Sequence, residues 1–346
     1  MYPSSPHPRA RTQAVTPSVV LVPGWAGRTV RNLAAQDWFA LGYQCLLLAA
    51  VATATFNGRG DGTAVRLVTG NVLATIVGFA LTRGHVLSAE SNLSRFLYRM
   101  VLMGPMLGSY FQLRVISPTV TDRVMDAQIL ALDQRLFGYE PAIAWDSLVT
   151  PQTTEWFAFF YFLYFGLLCV HVLPILFGSR SNFRTAHFAL GITMLVGIGH
   201  VLYLMVPGFG PYKHLTGQFV NPLEGGRFWH ACQMAVSAGG AQRDIFPSLH
   251  TAVPTFFTLY SYIHRAERPY KYTWPVMAVI SSQIIVATMF LRWHYLIDIF
   301  AGLTLAVFSV YVSHRVVVRE IARRKAQSLE PAFTPIEIAW PNSRAD

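Results

Sequence analysis

The chain has 346 residues, of which 53% are hydrophobic and only 13% charged, with a formal net charge of +10. Soluble domains carry about 25% charged residues. Here the apolar residues fall in long uncharged runs, which excludes a water-soluble core and the solvated basic face that nucleic acid requires. The three scattered cysteines, Cys45, Cys169 and Cys232, form neither a disulfide framework nor a metal-ligand spacing.

The N-terminus is polar and proline-rich through Pro23 and lacks the charged start, short apolar core and small-residue cleavage site of a signal peptide. Residues 1–36 therefore read as a tail ahead of a retained first span. A run of about 20 apolar residues crosses a bilayer, and eight such runs are predicted helices: Trp38–Phe56, Leu67–Thr82, Met100–Ser117, Trp156–Phe177, Ala186–Val206, Phe246–Ile263, Trp274–Leu291 and Tyr295–Val312. The second is short and the third contains Arg114, so these two are the weakest. The expected fold is all-α: a polytopic membrane helix bundle, with a membrane domain over 37–315 and a basic, then polar and partly disordered tail over 316–346. No internal repeat is visible.

Two of the connecting segments are long. Pro118–Glu155 contains the run Asp126-Ala-Gln-Ile-Leu-Ala-Leu-Asp-Gln-Arg-Leu-Phe137, whose apolar residues recur at near-helical spacing with acids between, as in a helix lying in the membrane interface. Pro207–Ile245 is glycine-rich with no long apolar run, a loop of the length that usually carries function. An even number of spans puts both termini on one side. If that side is the cytoplasm, 18 of the 27 Lys and Arg residues fall in inside segments, which is the bias that membrane insertion favours.

With that topology the ionisable residues at span ends converge on the outer face. Phe246-Pro-Ser-Leu-His250 opens the sixth span, with Pro247 suited to a first helical turn and Ser248 to a cap. Arg292-Trp-His-Tyr-Leu-Ile-Asp298 opens the eighth. His294 and Asp298 are four residues apart and share a helix face; an acid there fixes the imidazole tautomer and leaves the other nitrogen free to attack phosphorus. The plainer reading is a buried His–Asp pair that only ties helices together. His250, at a helix start that favours phosphate, can protonate a leaving oxygen, or it can be an interfacial histidine facing headgroups. Lys213, Arg243 and Arg292, with Arg114 and Arg227 nearby, are candidates for the cations a phosphoryl group in transfer needs. Each of them reads equally as a snorkelling side chain. His171, His187 and His200 are isolated within spans and read as hydrogen-bonded core residues. No HExxH, CxxC or Walker-type motif is present, so no metal or cofactor is expected.

These residues resemble the type 2 phosphatidic acid phosphatase (PAP2) superfamily. Its second motif, Pro-Ser-x-His, is matched by Pro247–His250, and its third ends in His-x-x-x-Asp, matched by His294 and Asp298. Within it, Phe246-Pro-Ser-Leu-His250, the stretch Thr288–Asp298 followed by Ala301-Gly302, Leu132-Asp133 with Leu136-Phe137-Gly138 and Pro141, and Gly210-Pro211 are most similar to the inositol phosphorylceramide synthase-like branch. The likeness runs from about Met100 to Ser313. It implies a six-helix catalytic core preceded by two extra spans, a metal-free phosphohistidine mechanism with His294 as nucleophile, Asp298 as its orienting acid and His250 as general acid and then base, and Ser248 helping to hold phosphate. The chain departs from the superfamily in three places. The first motif, a lysine followed seven residues on by Arg-Pro, is absent, so Lys213 or Arg243 would take its place; Thr288 stands where an arginine is usual; and Leu249 stands where many phosphatases have Gly. The expected activity is that of an integral membrane lipid phosphatase or phosphotransferase, moving an inositol phosphate-like headgroup to or from a lipid, with a polyol as acceptor or, in a plain lipid-phosphate phosphatase, water. A membrane transporter is the alternative from another class. It would place its ionisable residues near the midplane of inverted repeats.

Overall fold

The structure is a computed structural model and describes residues 24–239 and 242–337. Its elements are all helical: α1 (Trp25–Asn32), α2 (Ala35–Ala54), α3 (Gly62–Arg83), α4 (Asn92–Val120), α5 (Asp126–Phe137), α6 (Pro141–Ala144), α7 (Pro151–Leu173), α8 (Asn182–Met205), α9 (Pro211–His214), α10 (Arg227–Ala238), α11 (Leu249–Ile263), α12 (Tyr270–Phe290) and α13 (Leu296–Ala326). The β-type pairing recorded among the described residues is one parallel bridge between Gly208 and Asp244.

Every predicted span is a helix. Six are long and apolar enough to cross a membrane: α2 with its continuation to Arg59, α3, α7 with its continuation to Gly178, α8, α12 and α13. The second predicted run, expected to be weak, is among them, because Asp61 caps α3 early by accepting the Thr63 and Ala64 N–H groups and lengthens it to Gly62–Arg83. The two that fall short do so for different reasons. α4 has 29 residues but carries Arg95, Arg99 and Arg114. α11 has 15, about 22 Å of helix, because the chain ahead of Leu249 is not helical.

α8 is the central post, packed against α2, α4, α11 and α13. Glycines let its neighbours approach closely: Gly191 faces Phe256 of α11, Gly197 faces Phe39 of α2, and Gly199 faces Leu249 of α11. α2, α3 and α4 form one flank, and α7, α11 and α12 the other.

One end of the bundle gathers the basic residues. Arg83 pairs with Asp37 at 2.7 Å. Arg99 donates to the Leu176 and Thr334 carbonyls, Arg95 to Pro335 and Arg324 to Asn32. The expected partly disordered tail differs here: α13 runs on to Ala326, and the strap behind it is pinned by these arginines and by Phe333, 2% exposed against Tyr98. Buried guanidinium groups need acceptors, and the strap's carbonyls provide them. The part of that tail beyond 337 lies outside the described residues.

α5 lies across the other end of the bundle, near the start of α13. Its inward face is mixed, with Ile129 buried beside the acids. Asp126 and Asp133 are 1% and 0% exposed and point inward, while Leu132 and Leu136 are exposed. The acids serve backbone. Asp126 accepts the Phe209 and Gly210 N–H groups and the Tyr295 hydroxyl, and Asp133 accepts the Leu296 and Ile297 N–H groups that open α13.

Candidate active site

Three segments build the site. The first is the start of α11. Ser248 is its cap, with its hydroxyl oxygen accepting the Thr251 N–H at 3.2 Å, while Pro247 precedes the cap instead of sitting in the first turn as expected. The second is the turn between α12 and α13, where Arg292 adopts a φ of 64° and the Trp293 and His294 N–H groups return to the Thr288 carbonyl. The third is the loop after α8. There Gly210 has a φ of 93°, and a Cβ on it would stand 2.3 Å from the Trp293 carbonyl oxygen, so only glycine lets this loop lie against the histidine turn.

These segments surround a cavity of about 610 Å³ that both His250 and His294 line. Their ring centroids are 6.4 Å apart with planes at 46°. His250 lies between Tyr161, stacked at 4.4 Å, and Tyr164 at 4.2 Å, so α7 fixes its ring. His294 Nδ1 is 3.4 Å from Asp298 Oδ2. This is a contact short of a hydrogen bond: His294 Nδ1 and Asp298 Oδ1 are both without a partner, and Asp298 Oδ2 instead accepts the Tyr295 N–H at 2.9 Å. Catalytic hydrogen bonds commonly tighten only when substrate is bound.

A second carboxylate, not anticipated from the sequence, lines the same cavity. Asp244 accepts the Tyr110 hydroxyl at 3.1 Å and faces His294 electrostatically. Burial pushes its carboxyl above the usual range, against the Tyr110 hydrogen bond. Burial likewise pushes the His294 imidazole down to about 4, with the Asp244 charge opposing, so His294 carries a free lone pair at neutral pH. Glu140, beside Asp133 under the start of α13, is pushed up to about 8 by burial.

The expectation that one of Lys213, Arg227, Arg243 and Arg292 lines the cavity is not met: among the described residues its wall holds no lysine or arginine. Lys213 and Arg243 both sit over the Phe209 ring, at 3.4 and 5.6 Å from its centroid, and it is Phe209 that lines the cavity. Arg243 also donates to the Thr121 carbonyl. Arg292 is tied to Asp146 at 2.8 Å and to the Asn221 carbonyl, and Arg227 is exposed at the start of α10. Ser248 is fully buried as a cap and lines no part of the cavity either. Arg243 and Arg292 went where a carbonyl and a carboxylate needed partners.

Asp244 adjoined a residue already singled out, Arg243, but an isolated acid in a loop gives no spacing signal. Tyr161 and Tyr164 are three residues apart on α7 and could have been read as one aromatic face. No group of three or more His, Cys, Asp or Glu side chains among the described residues is placed to hold a metal.

A family model described as PAP2 superfamily matches residues 127–312, more than half of the chain. No curated protein matches, and no solved structure matches. The matched region takes in α5 to α13, and so every segment that builds the histidine site, and leaves out α1 to α4.

Proposed function

The chain belongs to the PAP2 superfamily, and from that premise we propose that it is an integral membrane phosphotransferase whose His250, His294 and Asp298 pass a phospho-headgroup through a phosphohistidine. Six spans and family membership already make it a membrane protein of the lipid phosphatase type; the transfer is the finer reading. The observation that carries it is that both imidazoles line one cavity, 6.4 Å apart.

His294 attacks phosphorus through the nitrogen facing away from Asp298, forming a P–N bond as the lipid P–O bond breaks. His250 gives its proton to the departing oxygen. An acceptor hydroxyl then attacks phosphorus, His250 takes the proton, and the P–N bond breaks. Asp298 holds the His294 tautomer and stabilises the imidazolium character that develops. The positive end of the α11 dipole favours the negative phosphate oxygens.

The wall chemistry supports transfer over monoester hydrolysis. A phosphomonoester dianion beside Asp244, with no cation in the wall, would be poorly compensated in a low-dielectric site. A phosphodiester brings one negative charge, which suits a headgroup donor. The inositol phosphate-like headgroup and the polyol acceptor are read from the likeness of the two motifs to the inositol phosphorylceramide synthase-like branch; the motifs themselves name no acceptor. The site lies at the end of α13 opposite the cluster of basic residues, and by the positive-inside bias both termini are cytoplasmic and the site faces outward.

Incubation of the purified protein with phosphate-labelled phospholipids, with and without inositol, tests this. The label is expected to move to a new ester only when the polyol is present. Release of inorganic phosphate from a monoester, with no new ester, would instead make it a plain lipid-phosphate phosphatase.

A further inference from the structure

The start of α13 is ringed by acids. Asp126, Asp133, Glu140 and Asp298 are all buried, and the one ion pair recorded for any of them among the described residues is that of Asp298 with His294. Arg292, at the same turn, is taken by Asp146. Hydrogen bonds stand in for cations at three of the four. Asp126 and Asp133 each accept two backbone N–H groups, and Asp298 accepts the Tyr295 N–H. Glu140 is the exception. It is 5% exposed, and its Oε1 accepts the Ala142 N–H at 3.1 Å as the cap of α6. Its Oε2 is sealed from solvent and receives no N–H or O–H among the described residues. The chemistry above makes no use of it.

The end of α5 brings Glu140 to this place. Gly138 takes a left-handed φ of 79° and closes α5 with its N–H on the Gln134 carbonyl. The chain turns back there, and the Glu140 carboxyl comes within hydrogen-bond reach of the Asp133 carboxyl. Two ionised carboxylates side by side are strongly disfavoured in a low-dielectric interior. An ionised carboxylate only accepts hydrogen bonds, whereas a protonated carboxyl has one O–H to give. A single proton therefore removes one charge and turns the orphan oxygen into a donor. Asp133 keeps the charge, because its two oxygens take opening N–H groups of α13, and such bonds favour the ionised form. Glu140 keeps the proton. Burial pushes its carboxyl up to about 8, against the Ala142 bond and helped by the charges of Asp133 and Asp298. The titratable groups that face it are Asp133 from α5, Asp298 from α13, and Tyr295, whose hydroxyl is held by Asp126. α12, which packs on α6, has its one charged side chain, Lys271, in its first turn.

We propose that Glu140 is a positioning residue of the histidine site: its protonated carboxyl donates from Oε2 to Asp133, and this shared proton keeps the start of α13, with Asp298, against His294. The consequence for turnover rests on the phosphohistidine reading. Loss of the proton sets two like charges side by side under α13. The folded carboxyl holds its proton to higher pH than the unfolded one, so its stabilisation is full below the ordinary carboxyl range and is lost as pH rises through about 8. The site thus carries its own alkaline limit.

The test compares wild type, Glu140→Gln and Glu140→Ala as full chains in lipid nanodiscs. The amide in Glu140→Gln caps α6 with its oxygen and donates to Asp133 with its nitrogen, and it does not titrate. In substrate-free protein, the infrared difference between wild type and Glu140→Gln at pH 7 is expected to show the C=O band of a protonated carboxyl. That band should fade as pH rises through about 8. Wild-type turnover should fall about tenfold per pH unit above that value, as for loss of one essential proton. Glu140→Ala should be slow at every pH, and Glu140→Gln should recover turnover and lose the alkaline limb. A glutamate that only caps α6 would give no such band and leave the limb in place. Absence of the band, or an alkaline limb unchanged in Glu140→Gln, would overturn the proposal. The band needs no substrate, so a wild type that shows it and moves no phosphoryl group would reject the transfer reading and leave the shared proton standing.

Discussion

Replacing Asp133 by alanine would expose how the histidine turn is held. Asp133 is 0% exposed, and its carboxylate accepts the Leu296 N–H at 2.7 Å and the Ile297 N–H at 2.8 Å. These are opening donors of α13, which have no acceptor of their own within the helix. Burial pushes the carboxyl up while the two donors pull it down, so the group is costly to bury and the two bonds offset that cost. In Asp133→Ala both donors lose their acceptor at a half-buried helix start. A buried donor left unpaired costs about 1–3 kcal/mol, and the lost negative charge at the helix start adds about 0.3–1 kcal/mol. The expected loss of stability is about 2–7 kcal/mol. Asp133→Asn, which keeps one acceptor oxygen, should lose roughly half as much. Denaturant unfolding of the detergent-solubilised protein, followed by tryptophan fluorescence, measures it. A change below about 1 kcal/mol for Asp133→Ala, the scale of an ordinary surface substitution, would refute the idea that α5 clamps α13.

Other outcomes follow from the same geometry. Gly210→Ala should strip activity and destabilise the protein by about 1–3 kcal/mol through a strained positive φ, since its Cβ meets the Trp293 carbonyl at 2.3 Å; a fully active, equally stable variant in a thermal melt and turnover assay would contradict this. With the His294 imidazole lowered to about 4, the nucleophile stays unprotonated down to that pH, so turnover should decline as pH falls through about 4; an acid limb at the ordinary histidine value of about 6.5 would show that His294 is not desolvated as described. Activity should persist in EDTA, because the proposed nucleophile and proton donor need no metal. Loss on chelation that Mg²⁺ or Zn²⁺ restores would reject that mechanism.

Much of the architecture was legible because the bilayer imposes a period-independent signal: all eight apolar runs are helices, six of them long and apolar enough to cross a membrane. The errors have local causes. The predicted sixth span starts at Phe246, but with Ser248 as the cap its residue type suggests, the helix starts only at Leu249 and is short. The acids of α5 fall between apolar residues at ordinary amphipathic spacing, which does not show that Asp126 and Asp133 are buried. Their acceptance of backbone N–H groups from residues 209–210 and 296–297 depends on contacts that no spacing encodes.

The meeting of His250 and His294 in one cavity was legible because both open helices on the same side in any topology with alternating spans. The roles of Lys213, Arg243 and Arg292 were not. A cation near a motif looks like a phosphate ligand, and only the fold shows that Arg292 answers Asp146 and that the other two sit over the Phe209 ring. His200 was read as a core histidine with hydrogen bonds, and it has them. Its place on the cavity wall comes from Tyr43 and Ser109, 157 and 91 residues away in sequence.

The most direct measurement is to trap the covalent intermediate. Full-length protein is incubated briefly with a phospholipid labelled at phosphorus, quenched in alkali, digested and mapped by mass spectrometry. The account predicts an acid-labile, alkali-stable phosphoryl adduct on His294, absent from a His294→Ala protein that still inserts and folds. An adduct that survives in His294→Ala, or one mapped to a different side chain, would contradict it.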